Sequence, residues 1–232
     1  MNTDRRNFLR NIGLTAAGGA LLLTGHADPT PASGELGAYS DYLDRDPQPA
    51  PAAAAAADWA VTEPNILGPY HRRGAPYRAK ITPPLAEGSV TLIAGRVWGH
   101  DTRKPMVNAV VDIWQADHNG RYDNDDPAKP PAADHFAYRA RMLSDEQGRY
   151  EYETIMPGRY RLSRTAMRPA HIHYMVSAPG YRTLVTQLYF TGDPHNAKDP
   201  FIRPSLIIDL AAVKVGTGSY QRGQFDIILA KA

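Results

Sequence analysis

Two histidines in the segment RPAHIHY, residues 168–174, carry the densest chemical signal in the sequence. His171 and His173 are two positions apart, and a β-strand places side chains at that spacing on one face. Two imidazoles on one face can bind one metal ion, whereas a helix requires a spacing of three or four residues. Taken alone, the pair equally fits two polar side chains on the wet face of a sheet.

Few residue types in this chain can complete such a metal site. Cysteine is absent, which excludes thiolate metal sites, disulfides, iron–sulfur clusters and cysteine nucleophiles. The next acidic residue after His173 is Asp193, beyond the following predicted strand, so the two-histidine, one-carboxylate plan lacks a neighbouring carboxylate. Five further histidines lie in turn-rich sequence and are expected on the surface or in caps: His71, His100, His118, His135 and His195.

Tyrosine is the abundant remaining donor, with 13 residues against 5 phenylalanines. Tyr122 follows a predicted strand and an Asn-Gly turn, and Tyr160 follows a Pro-Gly turn shortly before His171. Either tyrosine by itself is more typical of a half-buried aromatic ring with its hydroxyl at the surface, the commonest state of tyrosine.

The elements that would position these residues are predicted to be short β-strands separated by turns that contain glycine, proline and asparagine. About eight strands are predicted, at residues 90–98, 107–114, 150–155, 159–162, 172–176, 184–190, 206–210 and 225–229. No long amphipathic helix is visible in the sequence after residue 60. We therefore predict an all-β fold, a β-sandwich with long loops.

The composition fits a globular chain with one sizeable core. Hydrophobic residues make up 43% and charged residues 22% of 232 residues, which argues against global disorder. The net charge of +2 comes from the first 27 residues, which hold Arg5, Arg6 and Arg10 against Asp4. The remainder is balanced, which does not indicate nucleic-acid binding.

The start of the chain is typical of an export signal. Arg5 and Arg6 precede two apolar residues, as in twin-arginine signals, and the apolar stretch from about residue 12 to 23 is too short for a membrane span. Small residues predict cleavage after Ala27, and an ordinary secretory leader is the alternative. We expect a twin-arginine signal peptide at 1–27, a Pro/Ala-rich linker or arm at 28–60, the main domain at 61–232, no integral membrane span after cleavage, and a periplasmic or secreted location.

Three segments together resemble the intradiol ring-cleavage dioxygenases, such as protocatechuate 3,4-dioxygenase and catechol 1,2-dioxygenase. They are GRVWGHDTRKPMVNAVVDIWQADHNGRYD (95–123), SDEQGRYEYETIMPGRY (144–160) and RPAHIHYMVSAPGYRTLVTQLYF (168–190), and their order and spacing match the family. The resemblance implies an enzyme that uses O2 to open a catechol-type ring between its two hydroxyl-bearing carbons and gives a cis,cis-muconate-type diacid. It leaves the exact catechol and a homo-oligomeric state open.

The resemblance also implies the site residues. A ferric ion, Fe(III), would be held by Tyr122, Tyr160, His171 and His173. Phenolates are hard anionic donors that favour Fe(III), and a nearby trivalent cation favours the charged form of tyrosine. By the same resemblance Tyr160 leaves the metal and accepts a substrate proton, Arg168 stabilises negative charge on the ring, and Gln187 forms a hydrogen bond near the oxygen site.

Two other functions remain open from the residues themselves. The first is a non-catalytic secreted β-sandwich binding module, in which residues 95–113 form an opening hairpin. The second is a copper or zinc enzyme built on the H-x-H pair, which predicts a third histidine or a carboxylate at the metal.

Several neighbouring residues are expected to have structural roles only. We predict that Trp98 and Trp114 belong to the core and that Asp112 and Asp145 cap turns. Two arginines between Tyr160 and Arg168 are predicted on the surface, with contact to a substrate carboxylate as the alternative: Arg161 and Arg164.

The export prediction rests on the paired guanidinium groups rather than on their charge, since arginine and lysine are not interchangeable where geometry matters. Changing Arg5→Lys together with Arg6→Lys should leave uncleaved precursor in the cytoplasm. Cell fractionation and immunoblotting measure this. A normal exported yield from the double variant would favour the ordinary secretory route.

Overall fold

The computed structural model describes residues 59–164 and 166–232, which form two five-stranded sheets that share one hydrophobic core. The strands are β1 Val90–Gly99, β2 Val110–Gln115, β3 Arg139–Leu143, β4 Arg149–Ile155, β5 Tyr160–Arg161, β6 Met167–Arg168, β7 His171–Ser177, β8 Leu184–Phe190, β9 Ile207–Ile208, β10 Leu210–Val215, β11 Gly218–Gln224 and β12 Ile227–Leu229. Two short 3-10 helices lie between β8 and β9, at Asn196–Lys198 and Pro204–Leu206.

Both sheets are mixed. In the first, β1 pairs antiparallel with β4 and parallel with β11 and β12, and β10 pairs antiparallel with β11. The second has the order β3-β2-β7-β8-β9, in which only β8 and β9 are parallel. Strands β5 and β6 form a separate two-stranded sheet. The predicted all-β sandwich is confirmed.

The number of strands was underestimated, because the described residues hold twelve strands instead of about eight. Strand β3 reads RARML, and its buried arginine hides the apolar alternation. Strand β11 reads GSYQRGQ and is too polar to signal a strand. The predicted strand at 206–210 is divided between a 3-10 helix, β9 and the start of β10.

The predicted opening hairpin at residues 95–113 is confined to a tight antiparallel turn, in which Trp98 bridges Pro105 and Gly99 N–H donates to the Lys104 carbonyl at 3.0 Å. Strand β1 pairs with β4, β11 and β12, whereas β2 pairs with β3 and β7 in the other sheet. The chain therefore crosses from one sheet to the other between β1 and β2. This crossing places β2 beside β7, the strand that carries both histidines.

The predicted signal peptide, residues 1–27, and residues 28–58 of the predicted linker lie outside the described residues, so both assignments remain predictions. At the start of the described chain, Trp59 donates a hydrogen bond from Nε1 to the His100 carbonyl at 2.9 Å and packs edge-on against Trp98. Across residues 59–164 and 166–232, no helix has the length and apolar character that a membrane crossing requires.

Three tyrosines of the core lie between the sheets with their hydroxyls buried. Tyr152 Oη and Tyr174 Oη are 2.5 Å apart, and Tyr150 Oη donates to the Phe225 carbonyl at 2.5 Å. Burial raises the pKa of all three phenols above their usual value of 10. The core therefore contains neutral, hydrogen-bonded phenols that resist ionisation.

This arrangement predicts a stability loss at alkaline pH. The folded phenols stay neutral, whereas the unfolded chain ionises them near pH 10, so their stabilisation is complete below about pH 10 and is lost as the pH rises above it. Replacing Tyr152→Phe with Tyr174→Phe removes both partners together, so neither hydroxyl is left unpaired. Between pH 8 and pH 11 the double variant should lose less free energy of unfolding than the wild type, by roughly 1.4 kcal/mol for each phenol removed.

Urea unfolding at pH 8 and pH 11 measures the difference. Tyr181→Phe is the control, because its hydroxyl bonds Asp101 on the half-exposed surface, and it should follow the wild type. Equal losses in the wild type and the double variant would contradict the prediction.

Candidate metal centre

The two faces of strand β7 serve different purposes. Ile172, Tyr174 and Val176 point into the main core, and the alternating positions place His171 and His173 on the opposite face. Both histidines are nonetheless buried, with exposed fractions of 2% and 1%, because loops cover this face. The predicted placement of the two imidazoles on one face is confirmed, since their ring centroids are 4.9 Å apart.

Strand register surrounds the histidines with aromatic and polar side chains. His173 lies opposite Trp114 of β2 and Gln187 of β8, and His171 lies opposite Tyr189. Residues directly opposite in neighbouring strands share a face of the sheet. The outer face of the second sheet therefore presents two histidines, a glutamine and a tyrosine side by side.

Two loops bring Tyr122 and Tyr160 to this face. The loop after β2 is fixed by Asp117, whose Oδ1 accepts the backbone N–H groups of Asn119 and Arg121 at 2.8 and 2.9 Å. Gly120 has a positive φ of 81°, and a Cβ there would lie 2.2 Å from the Arg159 carbonyl oxygen. Only glycine allows this approach, which holds the chain just before Tyr160 against the loop that carries Tyr122.

Both phenol hydroxyls face one imidazole nitrogen. Tyr122 Oη and Tyr160 Oη each lie 3.5 Å from His171 Nε2, and the two tyrosine rings meet edge to face at 5.8 Å. These oxygen–nitrogen distances exceed those of an ordinary hydrogen bond. Ligands that share a metal at roughly 2.1 Å and a right angle lie about 3 Å apart, which is close to the two oxygen–nitrogen distances.

The tautomer of His171 follows from its other nitrogen. Nδ1 lies 2.7 Å from the Pro169 carbonyl oxygen, which can only accept a hydrogen bond, so Nδ1 carries the proton. A neutral imidazole then has its lone pair on Nε2, directed at the two phenols. Metal-binding histidines are commonly oriented in this way by a backbone carbonyl.

Burial keeps the four groups neutral. It lowers the pKa of His171 to about 3, with help from the positive charge of Arg168, and lowers the pKa of His173 well below its usual value. Burial also raises the pKa of Tyr122 and Tyr160, although Arg168 opposes the rise in both. Phenolates therefore form here only if a strong positive charge compensates their desolvation.

Arg168 and Gln187 meet beside Tyr160, as part of one buried network. Arg168 donates from Nη2 to Gln187 Oε1 at 2.6 Å, from Nη1 to Tyr160 Oη at 3.4 Å, and from Nε to Asp199 Oδ2 at 2.5 Å. Gln187 also accepts from Tyr189 Oη at 2.8 Å and donates from Nε2 to the Ile66 carbonyl. The guanidinium is 2% exposed and is paired with a buried carboxylate, as buried charges require.

Asp193 connects the tyrosine loop to the histidine strand. Its Oδ2 accepts from Arg159 Nε at 2.9 Å and from the backbone N–H of Ala170 at 3.0 Å. Arg159 precedes Tyr160, and Ala170 precedes His171. The carboxylate that the sequence places too far along the chain to be a neighbour of His173 therefore anchors both segments of the site.

A second buried ion pair supports Tyr122. Arg139, 1% exposed, donates to Asp123 Oδ1 from Nε and Nη2 at 2.8 and 2.5 Å, and from Nη1 to the Tyr70 carbonyl at 2.6 Å. Tyr70 stacks on Tyr122 with centroids 4.2 Å apart. Arg139 therefore holds Tyr70 through its carbonyl group and holds Tyr122 through Asp123, the next residue in the chain.

The donor set fits a metal ion that tyrosine helps to hold. Among residues 59–164 and 166–232, no three histidine, aspartate or glutamate side chains converge on one point. The copper or zinc alternative predicted a third histidine or a carboxylate at the metal, and the described residues show no such group. The donors that converge here are two phenol hydroxyls and the lone-pair nitrogen of His171.

Other sequence expectations have mixed outcomes. Asp145 accepts the N–H groups of its own turn, and Arg161 and Arg164 are exposed, as predicted. Asp112 was expected to cap a turn, but it lies within β2, 3.4 Å from His71 Nε2. His71 was expected on the surface and instead packs against Trp114 at 4.6 Å.

Several residues of the site carried no sequence signal that we used. Tyr189 lies two positions after Gln187 on one strand, so strand alternation would have placed it on the same face. Asp199 lies in an irregular segment, and Arg139 stands in a strand that was not predicted, so neither had a local pattern to reveal it.

Comparison with known proteins finds dioxygenases both among family models and among curated relatives. The family model described as Dioxygenase matches residues 66–231. A 6-chlorohydroxyquinol 1,2-dioxygenase of Cupriavidus pinatubonensis is 37% identical over 185 residues, which cover 72% of this chain and 64% of the relative. The chain covers only 53% and 50% of the lengths of two other curated relatives.

Solved structures give the same family. The 3-chlorocatechol 1,2-dioxygenase of Rhodococcus opacus 1CP is similar with a TM-score of 0.67 and 26% identity, over 86% of this chain and 84% of that one. The dioxygenase domain of a dioxygenase–carbohydrate-binding protein fusion from Streptomyces sp. SirexAA-E has a TM-score of 0.60 and 31% identity. That similarity spans 75% of this chain and 100% of that domain.

Proposed function

Because this chain belongs to the intradiol ring-cleavage dioxygenase family, we propose that it is an Fe(III)-dependent enzyme that opens a catechol-type ring with O2. The observation that carries the proposal is the approach of one buried and one half-buried phenol to the lone-pair nitrogen of His171. Such a group of neutral donors has little purpose without a cation, since the hydroxyls and the imidazole are spaced too widely to form strong hydrogen bonds with one another.

In this proposal the iron ligands are Tyr122, Tyr160, His171 and His173. When bound, Fe(III) supplies a Lewis acid that binds the catechol oxygens and draws electron density from the ring. The protein supplies two phenolates and two neutral imidazoles, a hard donor set that suits a trivalent ion. The Nδ1–H of His171, held by the Pro169 carbonyl, keeps its other nitrogen free for the metal.

Tyr160 and Tyr122 have different surroundings, which supports different roles. Tyr122 is 4% exposed, lies under the Tyr70 ring and follows a tightly bonded loop. Tyr160 is half-buried and receives a hydrogen bond from Arg168 on Oη. We assign to Tyr160 the phenolate that accepts a proton at Oη from the catechol, while Tyr122 stays in place.

Arg168 and Gln187 provide polarity around the ring. The Arg168 guanidinium is directed to Tyr160 Oη and Gln187 Oε1, so in this proposal its permanent positive charge would face the negative charge that develops on the ring. Preorganised charges of this kind lower the barrier because they need no rearrangement during reaction. Gln187 is held through its carbonyl by Arg168 and through its amide by Ile66, which fixes its orientation toward the site.

The overall reaction is balanced by catechol and oxygen alone. One O2 adds across the bond between the hydroxyl-bearing carbons, both oxygen atoms enter the product, and a cis,cis-muconate-type diacid results. We also propose that the protein is exported by the twin-arginine route, since export in the folded state would allow the metal to be loaded before translocation.

The ligand assignment predicts colour and iron content. Phenolate bound to Fe(III) absorbs visible light by charge transfer, so the purified protein should be reddish and hold about one iron per chain. Tyr122→Phe and Tyr160→Phe should each shift or weaken the band, because each removes one phenolate. His171→Ala should lose most of the iron.

Elemental analysis and absorption spectra measure both effects. Tyr181→Phe is the matched control, because its hydroxyl bonds Asp101 and takes no part in the proposed centre. A preparation that is active but colourless, or active without iron, would overturn the tyrosinate assignment.

The reaction assignment predicts where the ring breaks. With catechol and 18O2, the product should be a diacid that carries both labelled atoms, identified by mass spectrometry. Cleavage beside the diol would instead give a yellow semialdehyde. A yellow semialdehyde as the main product would contradict the proposed mechanism even if iron is bound.

A further inference from the structure

We propose that His173 is oriented by packing against Gly68 and Trp114 instead of by a hydrogen bond, and that these two are positioning residues of the metal centre. The effect of this packing on the metal rests on the proposed function. The packing itself concerns the protein alone and can be tested without iron.

The two histidines are held in different ways. His171 Nδ1 has the Pro169 carbonyl at 2.7 Å. His173 Nδ1 is buried and has no hydrogen-bond partner among the described residues. A histidine that binds a metal usually has its second nitrogen fixed by a carbonyl or carboxylate, so the orientation of His173 needs another source.

Trp114 provides one contact. Its indole stacks on the His173 ring at 4.9 Å with only 7° between the planes, and the two residues are paired across β2 and β7. The indole nitrogen is itself buried without a partner in the described part of the chain, so Trp114 is also held by packing. His71 contacts the indole at 4.6 Å, and Asp112 lies 3.4 Å from His71 Nε2.

Gly68 provides the other contact. It has a positive φ of 71°, and a Cβ at this position would lie 3.1 Å from His173 Cε1 and 3.6 Å from Nε2. At 3.1 Å the neighbour must move by a few tenths of an ångström. A methyl group here would therefore displace the imidazole on the side that carries Nε2.

Gly180 offers a matched control for Gly68. It has nearly the same backbone conformation, with φ of 80°, but a Cβ there meets nothing within 4 Å. Gly68→Ala and Gly180→Ala thus introduce the same kind of backbone strain, and only the first presses on His173. Trp98, also buried, is the corresponding control for Trp114.

The first experiment uses the iron-loaded protein. We expect Gly68→Ala to release iron to a chelator about tenfold faster than Gly180→Ala, the lower end of the usual effect of disturbing a ligand's support. Its ferric electron paramagnetic resonance spectrum should also change, whereas Gly180→Ala should match the wild type. Equal release rates and spectra in the two variants would overturn the proposal.

The second experiment uses metal-free protein. The Hε1 resonance of His173, assigned by its loss in His173→Gln, should move in Trp114→Phe because the ring current of the indole is replaced. It should stay in place in Trp98→Phe. An unmoved resonance in Trp114→Phe would contradict the stacking contact. A wild type that binds no iron would contradict the proposed function, but the resonance measurement would still test the packing of His173.

Discussion

The hydroxyls of Tyr122 and Tyr160 face an imidazole nitrogen that cannot take their protons. Burial and the charge of Arg168 lower the pKa of His171 to about 3, and burial raises the pKa of both phenols. Each pKa unit of such a shift corresponds to about 1.4 kcal/mol between the protonation states. A strong positive charge at the meeting point of these atoms would offset that cost, which supports the proposed Fe(III) site.

Two buried arginines place positive charge near the tyrosines of the site. Arg168 is paired with Asp199 and Arg139 with Asp123, so neither guanidinium is left uncompensated. Arg168 opposes the rise in the pKa of both tyrosines, and Arg139 does so for Tyr122. The same pairs position the backbone, because Asp123 follows Tyr122 directly and Arg168 leads into the histidine strand.

Local sequence patterns predicted the parts of this protein that follow strand geometry. The H-x-H spacing led to two imidazoles on one face, and alternating runs led to β1, β4, β7 and β8. Patterns of this kind failed where a strand is polar or carries a buried charge, as in β11 and β3, because period-2 apolar alternation is then lost. The pairing of β2 with β7, and hence the contact of Trp114 with His173, depends on long-range register that no local run encodes.

The tyrosines and histidines of the site also differ in mechanical support. Strand β7 is hydrogen-bonded on both sides, by β2 and β8, so His171 and His173 stand on a rigid element. Tyr160 stands on a two-residue strand that pairs with β6 alone, opposite Arg168. In the proposed mechanism Tyr160 leaves the metal and takes a proton, which suits this lighter support, whereas the proposed histidine ligands stay in place, which suits a rigid strand. The proposed ligands therefore differ in support, because the imidazoles stand on the central strand β7 and the Tyr160 phenol stands on the short strand β5 of a separate sheet.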